Sequence, residues 1–262
     1  MNLDTEQALG PTQRLSRLED PVGDFPFYNG VPVALSMAQW LLVMLGVVAG
    51  FAALVWPVPW PGGPLAPMIP AVLFVAIPLA VLSRVAPGHW RVLFGKVGWR
   101  EFRLMVGFAL LNFVVTMGVG ALVSAFAQVT SNAANAQLAA MGTGERLAFF
   151  AKTLPQLLGE EVVTVLPFLV VLTLLTQHFG VGRRGAVVGA WLVSSLIFGL
   201  IHLPTYNWNW LQCIVVIGTA RIVLTMAWLK TKNIWVSTGA HILNDWLLFS
   251  MALVGAGLAA KS

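Results

Sequence analysis

The sequence predicts an all-α fold, a polytopic membrane helical bundle of about seven transmembrane helices, with eight as the upper count. Three observations carry this. Of 262 residues, 58% are hydrophobic and only 10% are charged, where soluble domains average about 25% charged. The mean hydropathy is +0.83. Seven apolar segments follow one another, each near the ~20 residues a helix needs to span a bilayer.

Residues 1–30 form a polar arm carrying both signs of charge, unlike the basic and then apolar pattern of a cleaved signal. Asp4 to Asp20 reads as a short interfacial helix, broken by Pro21, Gly23, Pro26 and Gly30. The arm as a whole reads as a solvated tail. Residues 31–262 form one membrane domain, with spans expected at about 34–56, 67–85, 103–127, 150–176, 185–203, 209–229 and 234–258. A Pro/Gly-rich turn joins the first two. The 128–149 connection is polar (Gln128, Thr130, Ser131, Asn132, Asn135) and reads as a lid, a surface loop or a plain linker.

With the N-terminus inside, Arg14, Arg17, Arg84, Arg91, Lys96, Arg100, Arg103, Arg183, Arg184, Lys230 and Lys232 fall on the inner side. Only Arg146, Lys152 and Lys261 fall outside. The positive-inside rule then places the N-terminus in the cytoplasm. The expected location is a bacterial inner (plasma) membrane. The same loop bias accounts for the net charge of +5 without nucleic-acid binding. Trp56, Trp60, Trp90, Trp99, Trp208, Trp210 and Trp235 lie near span ends, as an aromatic belt does. Gly46/Gly50 and Gly185/Gly189 have the small-xxx-small spacing of close helix packing. The one cysteine, Cys213, excludes an intrachain disulfide and a cysteine-rich metal site.

Few ionisable residues lie within the spans: Glu160 and Glu161 in the fourth, His202 closing the fifth, Arg221 in the sixth, His241 and Asp245 in the seventh. An acid at the centre of a span costs ~2.5–3.5 kcal/mol on insertion scales, so such groups face the bundle interior and pair. His241 and Asp245 are one turn apart and share a helix face, as do Phe198 and His202. Glu160 and Glu161 point ~100° apart. One therefore faces a reaction centre, and the other a structural partner, for which Arg221 is the available cation. Helix rise sets His241 nearer the inner face than Glu160, by roughly 10 Å.

A carboxylate and two imidazoles in a dry cavity suit hydrolysis of an amide. The carboxylate can act as general base on a water, with an imidazole as oxyanion donor. Glu160, His202 and His241 also make a two-His, one-carboxylate set for a divalent metal such as Zn. Both routes stay open, with a metal or without one.

Three stretches then resemble a known family. Glu160-Glu161, Phe198-Gly-Leu-Ile-His202 and His241-Ile-Leu-Asn-Asp245 are similar, in order and on successive helices, to motifs of the CAAX-protease and bacteriocin-processing family. These are intramembrane proteases that include type II CAAX prenyl endopeptidases and abortive-infection-like proteins. The motif-bearing core is 150–258. The resemblance implies an intramembrane endopeptidase acting on a peptide or membrane-protein substrate at the lipid bilayer. Glu160 and His202 would activate the water, His241 and Asp245 would form the oxyanion site, and Glu161 would support them. The chain departs from the pattern twice. Val165 stands where the family's first motif has arginine, and Asp245 stands where asparagine is commoner; Asn244 is a minor alternative to it. The alternatives are a catalytically inactive scaffold or immunity-type protein on the same fold, favoured by the missing arginine, and a proton-coupled transporter.

Overall fold

The computed structural model describes residues 13–15, 17–21 and 23–259. It is all-helical, with seven helices long and apolar enough to cross a membrane. Their order is α1 Met37–Val55, α2 Met68–Val85, α3 Trp99–Ser124, a short α4 Ala133–Ala140, α5 Thr143–Thr173, α6 Arg183–Ile201, α7 Gly218–Thr231 and α8 Ile234–Ala259. Widened π-turns extend α5 to His178 and precede α7 over Gln212–Ile217. The protein is an integral membrane protein, with seven candidate spans among the described residues.

Helix α5 is the axis of the bundle. Of its most apolar window 78% is buried, against 61% or less in every other span. Its sequence explains why. From Val162 to Leu172 it is nearly unbroken hydrocarbon, which only the inside of a bundle can cover with protein on all sides. Phe168, Leu169 and Leu172 pack with Phe25, Phe74 and Trp228 in the main core. Pro155 and Pro167 lie inside α5 without ending it. Hydroxyls of Thr164 and Thr173 bond carbonyls one turn back, as often occurs in apolar helices. The helix begins at Thr143, seven residues before the expected start, because Glu145 caps the free Gly142 amide.

The Gly46/Gly50 spacing serves α1–α2 packing. A Cβ at Gly50 would stand 2.8 Å from the Phe74 carbonyl oxygen, so only glycine lets the backbones approach this closely. Gly189 likewise faces Leu175 at the end of α5.

The arm differs from the solvated tail expected. Residues 1–12 lie outside the described residues, so most of the expected Asp4–Asp20 helix cannot be followed; the described part of that stretch is turns. Beyond it, Phe25, Phe27 and Tyr28 are buried in the same core as α5. Their neighbours are clamped by charge. Arg183 at the start of α6 donates to Glu19 (2.6 Å) and Asp24 (2.6 Å). Asp20 pairs with Arg100 on α3 and with Lys230 at the end of α7. An aromatic trio inside a polar stretch offsets the polar composition, and three acids find cations on three helices. The arm thus ties the same ends of α3, α6 and α7 together. The 125–142 and 202–211 connections lie on the opposite face.

Burial alone would raise the Glu19 carboxyl, but hydrogen bonds from Arg183 and the Leu15 amide and the nearby Lys232 charge hold it below its ordinary 4.5. Asp20 is held below 3.8 by Arg100 and Lys230 against the same burial effect. Both acids therefore add stability that is complete above these ordinary values and is lost as pH falls through the lower folded ones. Acidification below about pH 4 should free the arm before the bundle unfolds. Hydrogen exchange of residues 17–28 measured from neutral pH downward checks this. Glu19→Gln should show the freed arm already at neutral pH.

Candidate active site

The two acids on α5 divide as their angular separation requires. Glu161 is fully buried and meets Arg221 of α7 in a forked pair, Nη1 to Oε1 at 2.6 Å and Nη2 to Oε2 at 3.0 Å. The remaining Arg221 Nε donates to the Thr225 hydroxyl (3.1 Å), and the guanidinium stands 5.0 Å from the centre of the Phe198 ring. A buried ion pair survives desolvation only when such donors and acceptors are all used. Val165, at the family arginine position, is buried in the main core, where a guanidinium would meet only hydrocarbon. Arg221 supplies the missing charge from another helix.

Glu161 also accepts from His241 of α8: Nδ1 stands 2.8 Å from Oε1. A carboxylate only accepts, so the Nδ1 proton is placed there and Nε2 turns the other way. Nε2 lies 3.8 Å from Glu160 Oε2 and 3.7 Å from Asp245 Oδ1. The 10 Å offset expected between Glu160 and His241 is therefore absent. The early start of α5 places Glu160 at mid-span, level with His241.

His202 caps α6. Pro204 prevents continuation, and Nδ1 bonds the Phe198 carbonyl at 2.7 Å, which the helix end leaves free. The carbonyl fixes the proton on Nδ1 and leaves the Nε2 lone pair for a ligand. The rings of Phe198 and His202 lie 4.4 Å apart. Phe198 thus touches Arg221, His202 and His241 together.

Glu160, His202, His241 and Asp245 all line one cavity of about 590 Å³. Glu161 stands behind it. Lys152, Gln156 and Glu160 follow one another down one face of α5, and Gln156 donates to Glu160 Oε1 (3.2 Å). Lys152, expected in an outer loop, is thus inside the span. The far wall is polar: Asn112 and Thr116 of α3, Asn132 at the start of α4, Tyr206 and Gln212. The 128–149 connection is a site wall rather than a plain linker. It is pinned by Thr130 to Gln212 (2.7 and 2.9 Å) and by Asn209 to the Gln128 carbonyl. Burial and the Asp245 charge push the Tyr206 phenol up to about 12, so it remains a proton donor in the working range.

Sequence reasoning missed Asn112, Lys152, Gln156 and Tyr206. Gln156 had a usable signal, its i−4 spacing from Glu160. Asn244 is a fuller member than expected: it is buried, lines the cavity with Asp245 and donates to it (3.0 Å). The expected Glu160, His202, His241 metal set does not close. Among the described residues no three His, Cys, Asp or Glu side chains gather closely enough to hold an ion, although both Nδ1 atoms are bonded to protein acceptors and leave their Nε2 atoms free.

Residues 143–247 match the family model described as type II CAAX prenyl endopeptidase Rce1-like. The matched stretch runs from the first residue of α5 into α8 and contains both acids, His202, Arg221, His241 and Asp245. This is a protease family, and it is the one the three motifs point to. No curated protein and no solved structure matches the chain.

Leaving Glu161 buried without its cation should cost about 3–5 kcal/mol. Arg221→Met is thus expected to lower the thermal midpoint sharply in detergent. The Glu161→Gln/Arg221→Met double variant should regain most of that loss, since no unpaired charge remains. Equal midpoints for wild type and Arg221→Met would show that the pair is not structural.

Proposed function

From that family match, we propose that the protein is an intramembrane endopeptidase in which Glu160 is the general base of a water-mediated, metal-free peptide hydrolysis. The observation that carries the reading is the convergence of Glu160, His202, His241 and Asp245 on one cavity inside the bundle. A water between Glu160 and the free Nε2 of His202 gives its proton to Glu160, and its oxygen adds to the scissile carbonyl carbon. The oxyanion is met by the Nε2 proton of a doubly protonated His241, whose Nδ1 proton stays with Glu161 and whose Nε2 lies between Glu160 and Asp245. The C–N bond then breaks as Glu160 returns the proton to the leaving amine nitrogen. Glu161 and Arg221 orient His241 and take no proton. Arg221 also answers the absence of the motif arginine, which was the ground for an inactive scaffold.

The substrate is a peptide or membrane-protein segment. It enters from the face opposite the N-terminal arm, where the polar wall of the cavity lies. With the N-terminus cytoplasmic, as the basic-residue bias favours, that is the outer face of the membrane.

Purified protein in liposomes should cleave members of a mixed-sequence library of internally quenched peptides. Glu160→Ala should lower the rate by roughly 10²- to 10⁴-fold, the range of general-base catalysis. A chelator should leave the wild-type rate unchanged. A Glu160→Ala rate equal to wild type overturns the assignment, and loss of activity restored by added zinc overturns its metal-free form.

A further inference from the structure

Lys152 places an ammonium inside a span with no acid to hold it. It lies on α5 eight residues before Glu160, about 12 Å along the helix, and both line the same cavity. Helix α5 starts at Thr143, after the 125–142 connection, so Lys152 stands between that face of the bundle and Glu160. Its Nζ lies 5.2 Å from the centre of the Phe149 ring, one turn nearer the same face. Lys152 is partly exposed, and its ammonium is not sealed away from the cavity. Among the described residues that ammonium makes no hydrogen bond and no ion pair.

The neighbouring charges are spent elsewhere. Arg146, six residues earlier on α5, gives its donors to the Leu138 and Ala139 carbonyls at the end of α4. Glu160 Oε1 is taken by Gln156, which lies between it and Lys152 on the helix. Arg183, Arg221 and Lys232, by contrast, each have a glutamate partner at 2.6–3.7 Å. A cation within a span is expensive and marks the route of a substrate. The group that answers an unpaired ammonium is a carboxylate.

Position decides where that carboxylate comes from. An extended chain rises about 3.3 Å per residue, so 12 Å is roughly four residues. A substrate with its scissile carbonyl at Glu160 passes Lys152 on its way to the face opposite the arm. It is in mid-chain there and presents side chains. We infer that Lys152 sets specificity by binding the carboxylate of a substrate Asp or Glu about four residues from the scissile bond. The inference rests on the cavity being a peptide site and deepens that reading. Lys152 binds substrate and moves no proton.

The test uses full-length protein in nanodiscs of zwitterionic lipid, with Glu160→Gln preventing turnover. The probe is a neutral, C-terminally amidated peptide that binds, taken from the mixed-sequence library. Asp is placed at each position in turn, with Asn as its uncharged twin. A parallel set with free C-terminal carboxylates separates the chain end from the side chain. Asp at one position should bind about tenfold or more tighter than Asn, the worth of a hydrogen bond between charged groups. Lys152→Met should erase that preference and keep the thermal midpoint. Lys152→Glu should reverse it, so that Lys at the same position binds better than Asp. Cleavage of the same peptide by the wild type should fall about four residues from that position. A flat Asp scan, a preference that survives in Lys152→Met, no reversal in folded Lys152→Glu, or a preferred position beside the cut each overturns the inference. So do a preference that follows only the free chain end, a sharply lowered midpoint in Lys152→Met, and a library of which no member binds. Peptides bound with the Lys152-dependent preference but never cleaved by the wild type overturn the protease reading and leave this one standing.

Discussion

The structure depends on one buried ion pair. Glu161 and Arg221 sit where neither charge can reach water, and each is tolerated only because the other is there. The pair joins α5 to α7. Through the second bond of Glu161 Oε1 to His241 it also fixes α8. Three helices thus share one carboxylate, and the ring it orients turns its other nitrogen to Glu160. The side of the cavity proposed to be reactive is set by this ion pair.

A division of labour follows along α5. Neighbouring acids on a helix cannot face one point, so Glu161 meets a cation and Glu160 meets the cavity. Phe198 joins the two regions: its ring covers the guanidinium, and its carbonyl sets the tautomer of His202. At the opposite end, the arm's charges on Arg100, Arg183 and Lys230 hold α3, α6 and α7 at one face. The other face is left to the polar wall and to the 128–149 segment.

Much of this was legible in the sequence. Membrane helices declare themselves by length and hydropathy, so all seven spans were found to within several residues. The acids, histidines and arginine stood out because a membrane makes each of them expensive. The pairing of Glu161 with Arg221 followed from helix geometry once the local arginine was seen to be Val165. What the sequence hid was hidden for physical reasons. The depth of Glu160 was misjudged because a glycine cap and Glu145 start α5 before its hydrophobic run begins. The arm looked solvated because composition averages Phe25, Phe27 and Tyr28 with their charged neighbours. Asn112 is an ordinary polar residue in a span and Tyr206 one in the 202–211 connection, and only the packing of the bundle shows that they line the cavity. The Nδ1 partners of the two histidines, a backbone carbonyl and a carboxylate, are invisible in spacing.

The central claim is that Glu161, anchored by Arg221, holds the proton on Nδ1 of His241 and so directs Nε2 to Glu160. Selective 15N-histidine labelling and nitrogen NMR of the wild-type protein test it most directly. The account predicts a protonated Nδ1 on His241, lost as a fixed preference in the Glu161→Gln/Arg221→Met variant. A neutral His241 carrying its proton on Nε2 in the wild type would contradict it.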